Sequence, residues 1–514
     1  MIKKELETQL SQALKELGFD NIDLKLERPK NPDHGDYASN VSFQLAKTLK
    51  KAPPLIAEDL KSKLKDNKIS EIVDFNPVSG FLNITLKPNY LLERLQTIET
   101  VPDFKTSNQK ILLEYVSANP TGPLHIGHGR WAVLGSAIAS ILKYSQHTVL
   151  TEFYINDAGS QVNHFKDSVK AAQEGNPIPE DGYHGAYILD LAKSDVDPLK
   201  KMISLQKSTL ASIGVEFDTW FFESLLHNDG KVALIIDWLS KKELSYTKDD
   251  ALWFKSTDYG DDKDRVLIKS DGQYTYFLVD IAYHFDKISR ADLLVNIWGA
   301  DHHGYVPRVR AAVMSFLDEE RDISEAFKVI IGQLVSLVKE GKPVKMSKRT
   351  GEMISLDEVV EDIGCDATRF FLLNKSADTH IEFDLDLAKK SSQENPVYYI
   401  QYAHARIASL LKKSELKVVP CPEYLELNNY ERDLSLLLIQ LYDKVLESAV
   451  KFSPHILAQY LFDVAKAFHL FYHNCQILNA EEPDKSKRLF LLSKTQFVLK
   501  EVLSILGITA PDSM

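Results

Sequence analysis

At 514 residues the chain is too long for one compact core, and its 44% hydrophobic and 26% charged residues exclude collagen-like, disordered and Cys-rich classes. The formal net charge is −12, and residues 101–390 hold 44 acids against 33 bases. That acidity does not exclude a nucleic-acid partner, because local patches set such contacts, and it fits a cationic substrate as readily as a solvated surface.

The N-terminus, "MIKKELETQLSQALKELGF", returns to Lys or Glu on every turn, so it reads as an amphipathic surface helix and neither a signal peptide nor a membrane span. A cytoplasmic protein without a membrane partner is expected. Cys365, Cys421 and Cys475 are odd in number and far apart, which excludes a disulfide framework and a Cys-x-x-Cys zinc knuckle. Residues 1–105 alternate helical stretches ("IKKELETQLSQALKEL", "PPLIAEDLKSKLKD") with short strand-like runs ("EIVDF", "FLNITLK"), an α+β module in which "NPDHGDYASN" reads as a loop.

From 106 to 390 the pattern changes. "ILLEYV", a Gly/Pro loop, "RWAVLGSAIASILKY" and "TVLTEFYI" form a βαβ unit and predict a parallel α/β sheet of Rossmann type. "LLVNIWG" and "FKVIIGQLVSLV" add further strands, with an insertion over about 165–270. Residues 391–514 are near-continuous helix, including "VYYIQYAHARIASLLKK" and "YERDLSLLLIQLYDKVLESAV", and predict an all-α bundle.

Within the βαβ unit, "NPTGPLHIGHGR" places His125 and His128 on the first turn of a helix, where unpaired N–H groups and the helix dipole favour an anion such as phosphate. Gly122 and Pro123 suit a tight turn, and Gly127 and Gly129 would let a ligand approach the backbone. The point just beyond the carboxyl end of a parallel strand is where such folds bind ligands. His-x-x-His can also ligate zinc, but the Glu or third ligand of zinc proteases is missing, and no metal site is expected. A guanidinium-selective pocket would need carboxylates in the plane of the group and an aromatic face over it. Tyr276 and Asp280, four apart in "YTYFLVDIAYHF", would share one helical face, and Glu114 ends the strand leading into the histidine loop.

A second signal, "GKPVKMSKRTGEM", crowds Lys345, Lys348 and Arg349 into a Gly-flanked loop suited to a polyphosphate. Together with "PLHIGH" some 220 residues upstream it resembles the paired signatures of class I aminoacyl-tRNA synthetases. "EYVSANPTGPLHIGHGR", "FYINDAGSQ", "HGDYASN", "WGADHHGY" and "LSILGITAPDSM" look like arginyl-tRNA synthetase of the bacterial type over essentially the whole chain.

That resemblance implies ATP-dependent attachment of L-arginine to tRNA(Arg) through arginyl-adenylate. Its catalytic residues would be His125, His128, Lys345 and Lys348. Pro123, Gly127, His128, Gly299, Asp301, Met346, Ser347 and Lys348 would bind ATP, with Mg2+ accompanying the nucleotide. Arginine would meet Glu114, Ser117, Asn119, His128, Tyr276, Asp280 and His302. The N-terminal module would contact the tRNA elbow and the bundle the anticodon, with Tyr398, Tyr402 and Arg406 offering aromatic faces and a cation alongside Tyr399 and His404. The resemblance further implies a monomer and a tRNA requirement for arginine activation, although the intact Lys-Met-Ser-Lys-Arg loop departs from many relatives. A small-molecule adenylyltransferase or a non-catalytic tRNA-binding paralogue are the rival readings.

Overall fold

The computed structural model describes residues 2–514 except 21, 30, 105–107, 319–320, 345–353, 416–421 and 423–425. Lys345, Met346, Ser347, Lys348, Arg349 and Cys421 therefore lie outside the described residues.

The N-terminal module opens with helix Ile2–Glu16, whose Leu6, Leu10 and Leu14 fall at a four-residue spacing and are all fully buried. It packs with helices Val41–Leu49 and Pro53–Leu64 on an antiparallel sheet ordered Leu26–Glu27, Tyr37–Ser39, Phe81–Leu86, Val73–Val78. The stretch expected as a loop thus supplies a strand, Tyr37–Ser39. Its turn formers end at Asp36, a buried carboxylate that accepts from Leu86 N–H at 2.6 Å and stitches the loop to the sheet.

The central sheet is parallel, in the order Phe327–Gly332, Leu293–Gly299, Lys110–Glu114, Thr148–Ile155, Thr219–Phe222. The order in which strands are added reverses between Lys110–Glu114 and Leu293–Gly299, with later strands laid to either side, the switch point at which such sheets open a crevice. Helix Ile126–Tyr144 buries residues on every side, as its run of Ala, Val, Leu and Ile demands of a helix between a sheet and a bundle.

Two details differ from the sequence reading. The stretch expected as one insertion, 165–270, returns to the sheet midway through Thr219–Phe222 and only then leaves again into helices and a small antiparallel sheet of Ser245–Lys248, Ala251–Phe254 and Arg265–Ile268. "FKVIIGQLVSLV" is two strands in two sheets. It breaks where the buried guanidinium of Arg130 donates to the carbonyls of Gln333 and Leu334 at 2.6 and 3.3 Å, after which Val335–Lys339 pairs with Ile381–Asp384.

The C-terminal bundle comprises Pro396–Lys413, Asn429–Leu438, Leu441–Lys451, His455–Asn474 and Asp484–Ile505. "YERDLSLLLIQLYDKVLESAV" splits into two of these helices at Ile439 and Gln440, and Tyr460 Oη donates to the carbonyls of Leu437 and Leu438 that the break exposes. Arg432 reaches the N-terminal module, donating to Asp36 Oδ2 at 2.6 Å and to the Leu86 carbonyl at 3.0 Å.

Arg369, 1% exposed, joins three parts of the chain: it donates to the Leu506 carbonyl at the end of the last helix, the Ile213 carbonyl and Ser136 Oγ of the histidine-bearing helix. Each buried carbonyl left without a donor costs about 1–3 kcal/mol. Arg369→Met is therefore expected to lower the thermal midpoint and to speed release of the last residues by carboxypeptidase; unchanged digestion would show that this knot does not hold the tail.

Candidate active site

Strand Lys110–Glu114 ends in two non-glycine residues with left-handed backbone, Val116 at φ 70° and Ser117 at φ 43°. For a β-branched residue this is strained, and the surroundings hold it in place. Ser117 Oγ donates to Glu114 Oε1 at 2.9 Å while accepting from Tyr154 N–H at 3.2 Å. Farther along, Gln206 donates to the carbonyls of Asn119 and Gly122, and Tyr187 Oη to that of Thr121. The loop that carries Asn119 and Pro123 is thus clamped from the helices Ala186–Ala192 and Pro198–Ser212.

His125 is the N-cap of helix Ile126–Tyr144. Its Nδ1 accepts from Gly127 N–H at 3.1 Å and His128 N–H at 3.4 Å, while His128 Nδ1 accepts from His125 N–H at 3.3 Å. The two rings stack with centroids 3.7 Å apart. Because both Nδ1 atoms accept, each neutral ring carries its proton on Nε2, the donor type a phosphate oxygen takes. This revises the physical reason for the motif: the backbone N–H groups expected to meet an anion are spent on the imidazoles, and the imidazoles become the donors. The glycines likewise serve the protein, since a Cβ on Gly127 would stand 2.9 Å from the His125 ring and one on Gly129 2.7 Å from Leu356.

The lysine loop is anchored at both ends. On one side Val344 N–H donates to the Leu337 carbonyl at 2.8 Å, and on the other Ser355 bridges to His125 and Leu356 N–H donates to the Leu124 carbonyl at 2.8 Å. The segment leaving the loop therefore lies against the mouth of the histidine helix.

Asp280 feels two further carboxylates, each from a different element. Glu114, 6% exposed, ends its strand; Asp280 lies one turn into helix Tyr276–Ile288; Glu223 begins helix Glu223–Asn228. Tyr305 Oη donates to Asp280 Oδ2, and Tyr154 Oη donates to Glu223 Oε2 at 2.7 Å. Burial, with Glu114 and Glu223 adding repulsion, pushes the Asp280 carboxyl up to about 7 against the opposing effects of Tyr305 and Lys287. Burial raises Glu223 as well. Tyr276, 70% exposed, stands one turn before Asp280 at the rim. Glu223 was missed in the sequence: a lone Glu in "TWFFESLLHN" has no partner by spacing, and only the return of Thr219–Phe222 to the sheet brings it to the carboxyl edge.

Beyond strand Leu293–Gly299, the turn Ala300–Tyr305 exposes Asp301 and His302, whose Nε2 is 3.5 Å from Asp301 Oδ2. In the bundle, Tyr398 and Tyr402 stack at 6.2 Å, and Arg406 donates to the hydroxyls of Tyr402 at 3.2 Å and Tyr472 at 2.6 Å. His404, expected as a base-stacking face, is 1% exposed and bonds the Pro511 carbonyl through Nδ1, so it belongs to the core.

Three family models match: the arginyl tRNA synthetase N terminal domain over residues 4–86, the tRNA synthetases class I (R) catalytic domain over 93–181 and the DALR anticodon binding domain over 400–514. An arginine–tRNA ligase of Shouchella clausii is 43% identical, covering 95% of this chain and 94% of its own. The chain belongs to the arginine–tRNA ligase family. Arginine–tRNA ligase 1 of Halalkalibacterium halodurans is 41% identical over 100% of this chain and 99% of its own. Among solved structures, the Thermus thermophilus arginyl-tRNA synthetase superposes with a TM-score of 0.82 at 26% identity, covering 100% of both chains. Family membership brings with it the class I parallel-sheet architecture seen here.

The raised Asp280 carboxyl gives a pH test. A guanidinium paired with this carboxylate would have to displace the proton below about 7, so its binding would weaken as pH falls, for one group about tenfold between pH 8 and pH 6. Without arginine the sign reverses: the folded state holds this proton more tightly than the unfolded one, so stability declines as pH rises from the ordinary 3.8 towards 7. The thermal shift given by arginine is expected to be larger at pH 8 than at pH 6; equal shifts would place the titrating group elsewhere.

Proposed function

We infer that the chain attaches L-arginine to tRNA(Arg) with ATP, by way of arginyl-adenylate, for protein synthesis. The observation that supports this best is the neighbourhood of a phosphate-donor histidine pair and a three-carboxylate pocket at one switch point, in a chain related end to end to arginine–tRNA ligases. A small-molecule adenylyltransferase would leave the bundle matching an anticodon-binding domain without a task. A non-catalytic paralogue would need the histidine pair only as a helix cap, a task that Asn, Asp or Ser performs as well.

In this reading the guanidinium lies among Asp280, Glu223 and Glu114 under Tyr276, and Ser117, Asn119 and His302 meet the amino-acid end group. Planar charge with five donors suits carboxylates arriving from several elements, and an uncharged isostere would leave them unpaired. The arginine carboxylate attacks the α-phosphorus of ATP and pyrophosphate leaves. His125 and His128 donate through Nε2–H to the phosphate oxygens as charge grows, Lys348 and Lys345 grip the departing pyrophosphate, and Pro123, Gly127, Met346 and Ser347 shape the nucleotide site. Asp301, after Gly299, accepts from the ribose hydroxyls. Mg2+ enters as part of the nucleotide substrate. The terminal ribose hydroxyl of tRNA then takes the arginyl group from the adenylate, releasing AMP.

Residues 1–105 are assigned to the tRNA elbow, 106–390 to catalysis and 391–514 to the anticodon, where Tyr398, Tyr402 and Arg406 present stacked faces and a cation. A monomer working in the cytoplasm completes this reading; among the described residues no helix is long and apolar enough to cross a membrane.

Acid-precipitable labelled arginine on tRNA, with ATP and magnesium, tests the activity: charging with arginine and not lysine is expected, and pyrophosphate exchange with and without tRNA reads the tRNA requirement. His125→Asn separates cap from catalyst, because Asn caps helices well yet lacks the Nε2–H donor. Its fold and arginine affinity should hold while kcat drops about 10²–10³-fold; a drop under threefold would remove His125 from the phosphate contacts.

A further inference from the structure

Lys287 is fully buried in the last turn of helix Tyr276–Ile288, and the reaction above makes no use of it. Its Nζ donates to Glu114 Oε2 and to Asn296 Oδ1, both at 2.7 Å, and lies 4.8 Å from the centroid of the Tyr283 ring. A buried ammonium persists only when paired and hydrogen-bonded, as this one is. Since Asn296 Oδ1 accepts from Lys287, its Nδ2 is the atom that donates to His284 Nε2, at 2.9 Å. The His284 proton is therefore on Nδ1, which donates to the Asp280 carbonyl at 2.8 Å. Burial and the nearby Lys287 charge hold that imidazole neutral.

The result is one directed chain of hydrogen bonds from the Glu114 carboxylate through Lys287, Asn296 and His284 to the main chain at Asp280. Glu114 and Asn296 are register partners on adjacent strands, whereas Lys287, His284 and Asp280 share a helix. With Ser117 Oγ on Oε1 and Lys287 on Oε2, both oxygens of Glu114 are held and the plane of its carboxylate is set. Without Lys287, Oε2 would lose its partner and the carboxylate would be free to turn about its remaining bond to Ser117.

We propose that Lys287 is a positioning residue for the amino-acid pocket: it fixes the Glu114 carboxylate toward the guanidinium and ties it to the helix turn that carries Asp280. This rests on the arginine-charging reading. The competing account is that the Glu114–Lys287 pair only stabilises the fold, and the two accounts part in the doubly neutral variant. Replacing both members of a buried pair removes the uncompensated charge that either single change leaves.

The test uses the full chain with tRNA(Arg), ATP and arginine, comparing the parent with Lys287→Met, Glu114→Gln and the double variant by steady-state kinetics and thermal melting. Each single variant is expected to raise KM for arginine about tenfold or more with KM for ATP within about twofold. The double variant should regain most of the melting temperature lost by the singles while its KM for arginine stays as high as that of Glu114→Gln. Recovery of arginine KM together with melting temperature would overturn the proposal, as would a folded Lys287→Met with parental arginine KM. A parent that charges no arginine would instead overturn the underlying reading, and this inference with it.

Discussion

The relation between the histidine helix and the strands that lead towards residues 345–353 depends on one buried guanidinium. Arg130, two residues after His128 and 1% exposed, donates to four main-chain carbonyls, those of Gln333, Leu334, Ser376 and Thr379. Those carbonyls sit where the chain leaves the central sheet and where it comes back to the strand Ile381–Asp384 that pairs with the hairpin feeding the lysine loop. A planar fork with fixed donor directions can satisfy four acceptors at once, which a lysine cannot. The histidine turn and the chain on either side of residues 345–353 are thereby mounted on one body, and the Leu124–Leu356 hydrogen bond closes the far side.

The pocket beside them obeys a different logic. Glu114 and Glu223 repel the Asp280 carboxylate, and Lys287 is committed to Glu114, so in the proposed reading a guanidinium placed beside Asp280 and Glu223 would relieve the repulsion that remains. Tyr305 and Tyr154 each hold one oxygen of Asp280 and Glu223, fixing orientation without neutralising charge. In the proposed reading such a pocket would select for positive charge and planarity together, since an ammonium offers the charge without the fork.

Much of this was legible in the sequence, and the reasons for the gaps are specific. The βαβ unit, the histidine turn and the Tyr276–Asp280 face follow from period and spacing, because they are local. Glu223 was invisible because its place depends on which strand its helix follows, a non-local fact. The break after Gly332 and the split at Ile439 were invisible because the carbonyls there meet Arg130 and Tyr460, donors distant in sequence. The role of the free helix N–H groups was misjudged because a histidine at the N-cap position can itself accept them.

Arg130 and Arg369 meet carbonyls and a hydroxyl, acceptors that do not titrate, whereas the pocket is made of carboxyls that do. Burial lowers the Arg130 guanidinium only to about 10, still well above neutrality. Between pH 6 and 8, therefore, proton uptake reaches Asp280 and leaves the two joints that position the histidine helix unchanged. A proton on Asp280 changes the pocket without loosening these two joints, because carboxyls and main-chain carbonyls are chemically different acceptors on the same helix-and-sheet frame.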